Sequence, residues 1–222
     1  MAVHAIETVA FDVGETLVCD DRYWASWADW LGMPRHALSA LVGAVVAQGR
    51  DSADAIRIAR PGADVDAEYR AREDAGCGEH LEESDLYPDV RPVLAHLRRH
   101  GLRVVIAGNQ SARAAQLLRA LDLPADAIAT SGEWGTAKPE RGFFERVIGL
   151  ARTGPDRVVY VGDHPANDVG PAKAAGLRVA HIRRGPWGHL WAGSPGAAEA
   201  DWRIGSLTEL PALLGAARMP PE

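Results

Sequence analysis

Six residues, four of them at the ends of short apolar runs, have the chemistry to hold a phosphate group and a metal ion. Val9-Ala10-Phe11 stops at Asp12, and Val104-Val105-Ile106-Ala107 stops at Gly108 and Asn109. Val158-Val159-Tyr160-Val161-Gly162 stops at Asp163, with Asp168 five residues on, and Lys138 precedes Pro139. Ligands of an open α/β sheet bind beyond the carboxyl ends of its strands, so these residues are expected to converge. Two like charges ~4 Å apart repel by about 4 kcal/mol at an effective dielectric of 20. Three ionised carboxylates therefore need a cation among them, or one takes up a proton. An all-oxygen donor set with open positions suits Mg²⁺, which binds few carboxylates and holds phosphate oxygens. A carboxylate facing a metal-held phosphoryl group can act as nucleophile and form an aspartyl-phosphate. Of 24 basic residues only Lys138 and Lys173 are lysine. Lys138 is thus a compact point charge that an arginine fork does not replace.

The elements that must position these residues alternate. Strands are expected at Ile6–Phe11, Leu102–Ala107, Ala127–Ser131, Arg157–Val161 and Leu177–Ile182. Between them lie helices from Arg91 to His100, from a cap at Ser111 through Leu121, from a first-turn Pro139 through Ile148, and up to Gly176. Apolar strands without polar alternation, joined by helices, indicate a doubly wound parallel sheet covered on both faces. Leu102 follows Asp12 by 90 positions, far more than one crossover takes. The periodicity of that stretch is helical. Trp24, Trp27, Trp30 and Leu31 recur on one face, then Leu38, Leu41, Val42, Val45 and Val46, with further helices over 52–60 and 65–75. The expected organisation is an α/β core of residues 1–18 and 88–222, interrupted by a helical cap over 19–87, with a frayed tail from Ala216 to Glu222. The tryptophans are read as the core of that cap and Arg183-Arg184 as exposed.

The totals narrow the function. With 222 residues, 47% of them hydrophobic, the chain can bury a sizeable core, and no apolar run reaches the roughly 18 residues of a membrane span. A formal charge of −6 argues against non-specific nucleic-acid binding. Cys19 and Cys77 are too few for a disulfide framework, and the opening residues form no secretory leader; a cytoplasmic protein with reduced thiols is expected. No Walker A, GxSxG or GxGxxG motif occurs. Oligomeric state is not legible.

Phe11-Asp12-Val13-Gly14-Glu15-Thr16-Leu17 resembles the first motif of the haloacid dehalogenase superfamily, usually Asp-x-Asp-Gly-Thr-Leu. Gly162-Asp163-His164-Pro165-Ala166-Asn167-Asp168 resembles its fourth motif, with the usual Ala-Ala-Gly at 174–176, and Lys138-Pro139 resembles its third. Leu86-Tyr87-Pro88-Asp89-Val90 resembles the point where the chain leaves a small helical cap. The resemblance implies a hydrolase whose nucleophile and Mg²⁺ ligand is Asp12, with Asp163 as second ligand and Asp168 supporting the metal. Lys138 would steady Asp12 and the phosphoryl oxygens, and Gly14 would offer its backbone carbonyl to the metal. The implied substrate is a small phosphorylated metabolite.

Two positions depart from the pattern. The family's general acid, the second aspartate of the first motif, is Gly14 here, and the Ser or Thr that ends the second motif is Gly108, followed by Asn109. A positioned acid is worth about 10²–10⁴ in rate. The site then acts on leaving groups that depart easily, or Glu15 or His164 stands in, or the protein binds without turnover. Dehalogenases also lack the second aspartate, but they lack the full acidic fourth motif too. Asp163 and Asp168 favour the phosphatase.

Overall fold

A computed structural model describes residues 5–215; the tail from Ala216 to Glu222 lies outside the described residues. Strands β1 (Thr8–Phe11), β2 (Arg103–Gly108), β3 (Ala127–Thr130), β4 (Val158–Gly162), β5 (Arg178–Ile182) and β6 (Trp202–Ile204) form one sheet in the order β3-β2-β1-β4-β5-β6. Every pairing is parallel. The chain winds outward from β1 to one edge and then returns to β4 on β1's other side. The crevice where the winding reverses therefore lies between β1 and β4, where such folds bind ligands.

Apolar strands need cover on both faces. Val9, Phe11, Val104, Ile106, Val159 and Val161 pack on one face against Val90, Val93, Leu94 and Leu97 of α5 (Val90–Arg99) and Leu118 of α6 (Ala112–Ala120). Ala10, Val105, Ala107, Val158 and Tyr160 meet Phe143, Phe144 and Val147 of α8 (Arg141–Ala151) on the other. Each large apolar side chain so buried contributes about 1.5–3 kcal/mol. Register is thereby fixed, since a one-residue slip would turn every strand inside out.

Helices α1 (Asp21–Leu31), α2 (Arg35–Ala47), α3 (Asp54–Ala59) and α4 (Val65–Asp74) bury a separate cluster around Trp27, Leu38, Val42, Val45 and Ile56. The two chain segments leading to and from these helices pair with each other: Cys19 N–H donates to the Asp85 carbonyl (2.8 Å) and Tyr87 N–H to that of Leu17 (3.0 Å). Among the described residues no helix is long and apolar enough to cross a membrane.

Four details depart from the sequence reading. The short edge strand β6 lacks the length to announce itself. Ser131 starts a one-turn helix, α7 (Ser131–Trp134), rather than ending β3. Pro139 precedes α8 rather than sitting in its first turn, because a turn closed by Glu140 N–H on the Ala137 carbonyl (2.8 Å) intervenes and Glu140 flanks the helix. The helix before Gly176 is a π turn (Pro165–Val169) followed by α9 (Gly170–Ala174).

Candidate active site

The residues singled out by type and spacing meet at the crevice. One carboxylate oxygen from each of Asp12, Asp163 and Asp168 lies within 4.8 Å of the others, and all three side chains are buried. Lys138 joins them, its Nζ 2.6 Å from Asp12 Oδ1 and 2.6 Å from Asp168 Oδ1. Asp12 and Asp163 follow adjacent strands, with Asp12 N–H donating to the Val161 carbonyl (2.9 Å).

Local sequence explains the close approach. A Cβ on Gly162 would sit 2.3 Å from Asp168 Oδ2, so only glycine there lets the π turn fold back against β4. Its other partner is the His164 N–H, 2.8 Å from Oδ2, so both oxygens of Asp168 are engaged within the protein. A Cβ on Gly108 would lie 2.6 Å from Asp12 Oδ1 and 3.0 Å from Val13 Cγ2. Asn109 grips the main chain of Lys138 from both sides: its Oδ1 accepts from Lys138 N–H (2.7 Å) and its Nδ2 donates to the Lys138 carbonyl (2.9 Å). The amide expected to touch phosphate is thus occupied in placing the lysine. Below the ammonium lie the rings of Tyr160 (5.5 Å) and Phe143 (5.9 Å).

Electrostatics follow from burial. Desolvation pushes the Asp12 carboxyl up to about 6 against the pull of Lys138, and the Asp168 charge adds to the rise. Burial, then the charges of Asp168 and Asp12, hold Asp163 well above the usual carboxylate range. Burial opposes the charge of Lys138, yet Asp12 and Asp168 outweigh it and hold the ammonium well above its ordinary value. With all three carboxylates ionised, one ammonium would leave a buried excess of two negative charges. A second cation relieves that excess, and the donors are all hard oxygens, so the residues present fit Mg²⁺.

The two stand-ins for the absent acid are committed elsewhere. Glu15 is held by the Tyr87 hydroxyl and by Asp20 N–H (3.4 Å), and its side chain packs so closely on Gly185 that no Cβ would fit there. His164 Nδ1 accepts from the N–H groups of Ala166 (3.2 Å) and Asn167 (3.3 Å), and its ring stacks on Trp187 at 3.7 Å. Burial and the Lys138 charge push that imidazole down to about 4, so it is neutral at pH 7.

A residue the sequence reading passed over lies nearby. Asp20 lines a cleft of about 860 Å³ between the helical bundle and the sheet, together with Tyr23, Trp24, Arg72, Asn109 and Gln110. Burial of its carboxyl, with the charges of Glu15 and Asp12, raises its pKa well above the usual range. An aspartate just ahead of a helix reads from sequence as a cap, which hides any other role. The tryptophans divide: Trp27 is fully buried in the bundle while Trp24 lines the cleft. Arg183 is exposed, but Arg184 is buried, donating to the Thr16 carbonyl (2.7 Å) and to Asp89 while covering the Tyr87 ring. Paired charge on a short loop lets it fold inward, which composition does not reveal.

Known proteins resemble this chain in sequence and in fold. The chain is 32% identical over 132 residues to a phosphoserine phosphatase of Thermus thermophilus, covering 56% of this chain and 49% of that one. It is 34% identical over 139 residues to a plasmid-borne phosphoglycolate phosphatase of Cupriavidus necator, covering 61% and 58%. It thus spans about half the length of the curated relatives it matches. The fold matches the crystal structure of a phosphatase from Thermococcus onnurineus with a TM-score of 0.61 at 22% identity, over 96% of this chain and all of that one. The family pattern of haloacid dehalogenase-like hydrolases matches residues 6–176, and with the strand-end carboxylates and lysine in place this chain belongs to that family.

Proposed function

We propose that this protein is a Mg²⁺-dependent phosphatase that hydrolyses a small phosphorylated metabolite through phospho-Asp12. The observation that carries the reading is the buried cluster of Asp12, Asp163 and Asp168 with Lys138 bridging two of them. The named phosphatases among the relatives support it. Asp12, Asp163 and the Gly14 carbonyl would hold the metal, with Asp168 keeping Lys138 and the loop after β4 in place. When bound, the metal would neutralise phosphoryl oxygens and bring the phosphorus up to the nucleophile.

The rest is the work of the chain. Asp12 attacks phosphorus with one carboxylate oxygen while Lys138 offsets the charge growing on the phosphoryl oxygens. Asn109 fixes Lys138 by its main chain, and Gly108 leaves room for Asp12 beside it. Residues 1–18 and 88–222 would act as the catalytic core and residues 19–87 as a cap that excludes water from the cleft.

The test is turnover of p-nitrophenyl phosphate, whose leaving group needs no acid, with and without Mg²⁺, in the wild type and in Asp12→Asn. Metal-dependent release of p-nitrophenolate, lost by more than about 10³-fold in the variant, is the expected result. Phosphate binding without turnover would make the protein a binding module. Metal-independent chloride release from a 2-chloro acid would make it a dehalogenase.

A further inference from the structure

We propose that Asp20 is the proton donor to the departing ester oxygen, reaching from the start of α1 to within contact of the place where a side chain at position 14 would begin. This rests on the aspartyl-phosphate reading of the site. A Cβ built on Gly14 would stand 3.4 Å from Asp20 Oδ2 and 3.5 Å from Oδ1, with Gln110 Nε2 also at 3.5 Å. The carboxyl of Asp20 therefore stands in van der Waals contact with the place where a side chain at residue 14 would begin, beside the nucleophile's loop. Gly14 does not have a positive φ, so its backbone gives no conformational reason for a glycine there.

Asp20 is also free of the duty its position suggests. It flanks the N-terminus of α1, yet its side chain accepts no backbone N–H of the helix. Asp64 ahead of α4 and Ser111 ahead of α6 both do so. Among the described residues the carboxyl of Asp20 has neither an ion pair nor a hydrogen-bond donor, whereas Glu15 and Asp12 have theirs. What faces Asp20 is the cleft.

The chemistry balances as follows. An Asp12 oxygen forms the new bond to phosphorus, the bond from phosphorus to the ester oxygen breaks, and its electron pair takes the proton of the Asp20 carboxyl, releasing an alcohol. Water then attacks phospho-Asp12 and returns a proton to Asp20 as the bond from phosphorus to the Asp12 oxygen breaks, releasing phosphate.

The experiment is a leaving-group series: kcat/KM with Mg²⁺ on p-nitrophenyl, phenyl and ethyl phosphate, for wild type, Asp20→Asn and Asp20→Asn combined with Gly14→Asp. kcat/KM stops at the first irreversible step and so reports leaving-group departure. In Asp20→Asn the ratio of ethyl to p-nitrophenyl phosphate should fall about 10²-fold, as for loss of a general acid. The double variant should regain at least about tenfold of that ratio, since ordinary contact distances await a Cβ at position 14. Equal losses on all three substrates would show a binding or structural role and overturn the assignment, as would an unchanged ratio. If wild type lacks Mg²⁺-dependent p-nitrophenolate release, the phosphatase reading falls and takes this with it. An active wild type with an unchanged ratio removes Asp20 alone.

Discussion

At the scale of single residues, the site is built as much from what is missing as from what is present. Gly108 and Gly162 contribute no atoms, yet the carboxylates of Asp12 and Asp168 occupy the space their side chains would take. The prediction at this scale concerns Gly108. In Gly108→Ala the added methyl must push Asp12 off Lys138 or shift Val13, and displacements near 1 Å cost about 10²-fold in rate. kcat/KM on p-nitrophenyl phosphate should drop by about that factor. Unchanged kinetics would show that Asp12 works in another position. Asp12, Asp163 and Asp168 were legible because each closes or follows an apolar run, and Lys138 because it is one of only two lysines in the chain. Asp20 was not, because its distance from Gly14 depends on how the loop after β1 closes, with Thr16, Leu17 and Val18 all donating to the Val13 carbonyl.

At the scale of elements, apolar runs and caps marked five strands to within two residues at each end, since a strand buried on both faces carries its own signature. The sixth strand escaped because Trp202–Ile204 is short and held from outside. Asp201 accepts from Lys173 Nζ (2.9 Å), Arg178 Nε (2.9 Å) and Val179 N–H (2.8 Å), pinning the approach to β6 against β5. Burial works against the charge of Asp201, but these donors and the two cations hold its carboxyl below the usual value. A depressed carboxyl stabilises the fold above its unfolded pKa near 3.9, and that stability is lost as pH falls through the lower folded value. Asp201→Asn should therefore cost about 1 kcal/mol in urea denaturation, the gap constant from pH 7 to 5 and narrowing below about 4. A gap that grows toward acid pH would contradict the sign.

At the scale of the whole molecule, the helical bundle meets the sheet domain through the Ser111 hydroxyl, which donates to Glu79, and at two further places. One is the paired segments at Leu17–Cys19 and Asp85–Tyr87. The other is α10 (Gly185–Leu190) and the residue after it. Trp191 Nε1 donates to the Val46 carbonyl in α2 (2.9 Å), and Trp187 Nε1 donates to Ser52 Oγ (3.4 Å) while stacking on His164 beside the metal-type carboxylates. The length of the stretch between β1 and β2 asked for more than one crossover helix, and α1 to α4 lie there, but nothing in the local pattern of 185–191 told of a contact across 145 positions of chain. Long-range hydrogen bonds of single tryptophans leave no periodic trace.

That second point of attachment has a kinetic meaning. A body fastened at one end swings freely, whereas one fastened at two must let go before its contents escape. Trp191→Phe keeps the ring and drops the N–H, so about 1 kcal/mol of fastening disappears. Bound inorganic phosphate should then leave about fivefold sooner in stopped-flow displacement, and an unaltered residence time would mean that the indole bond holds nothing shut.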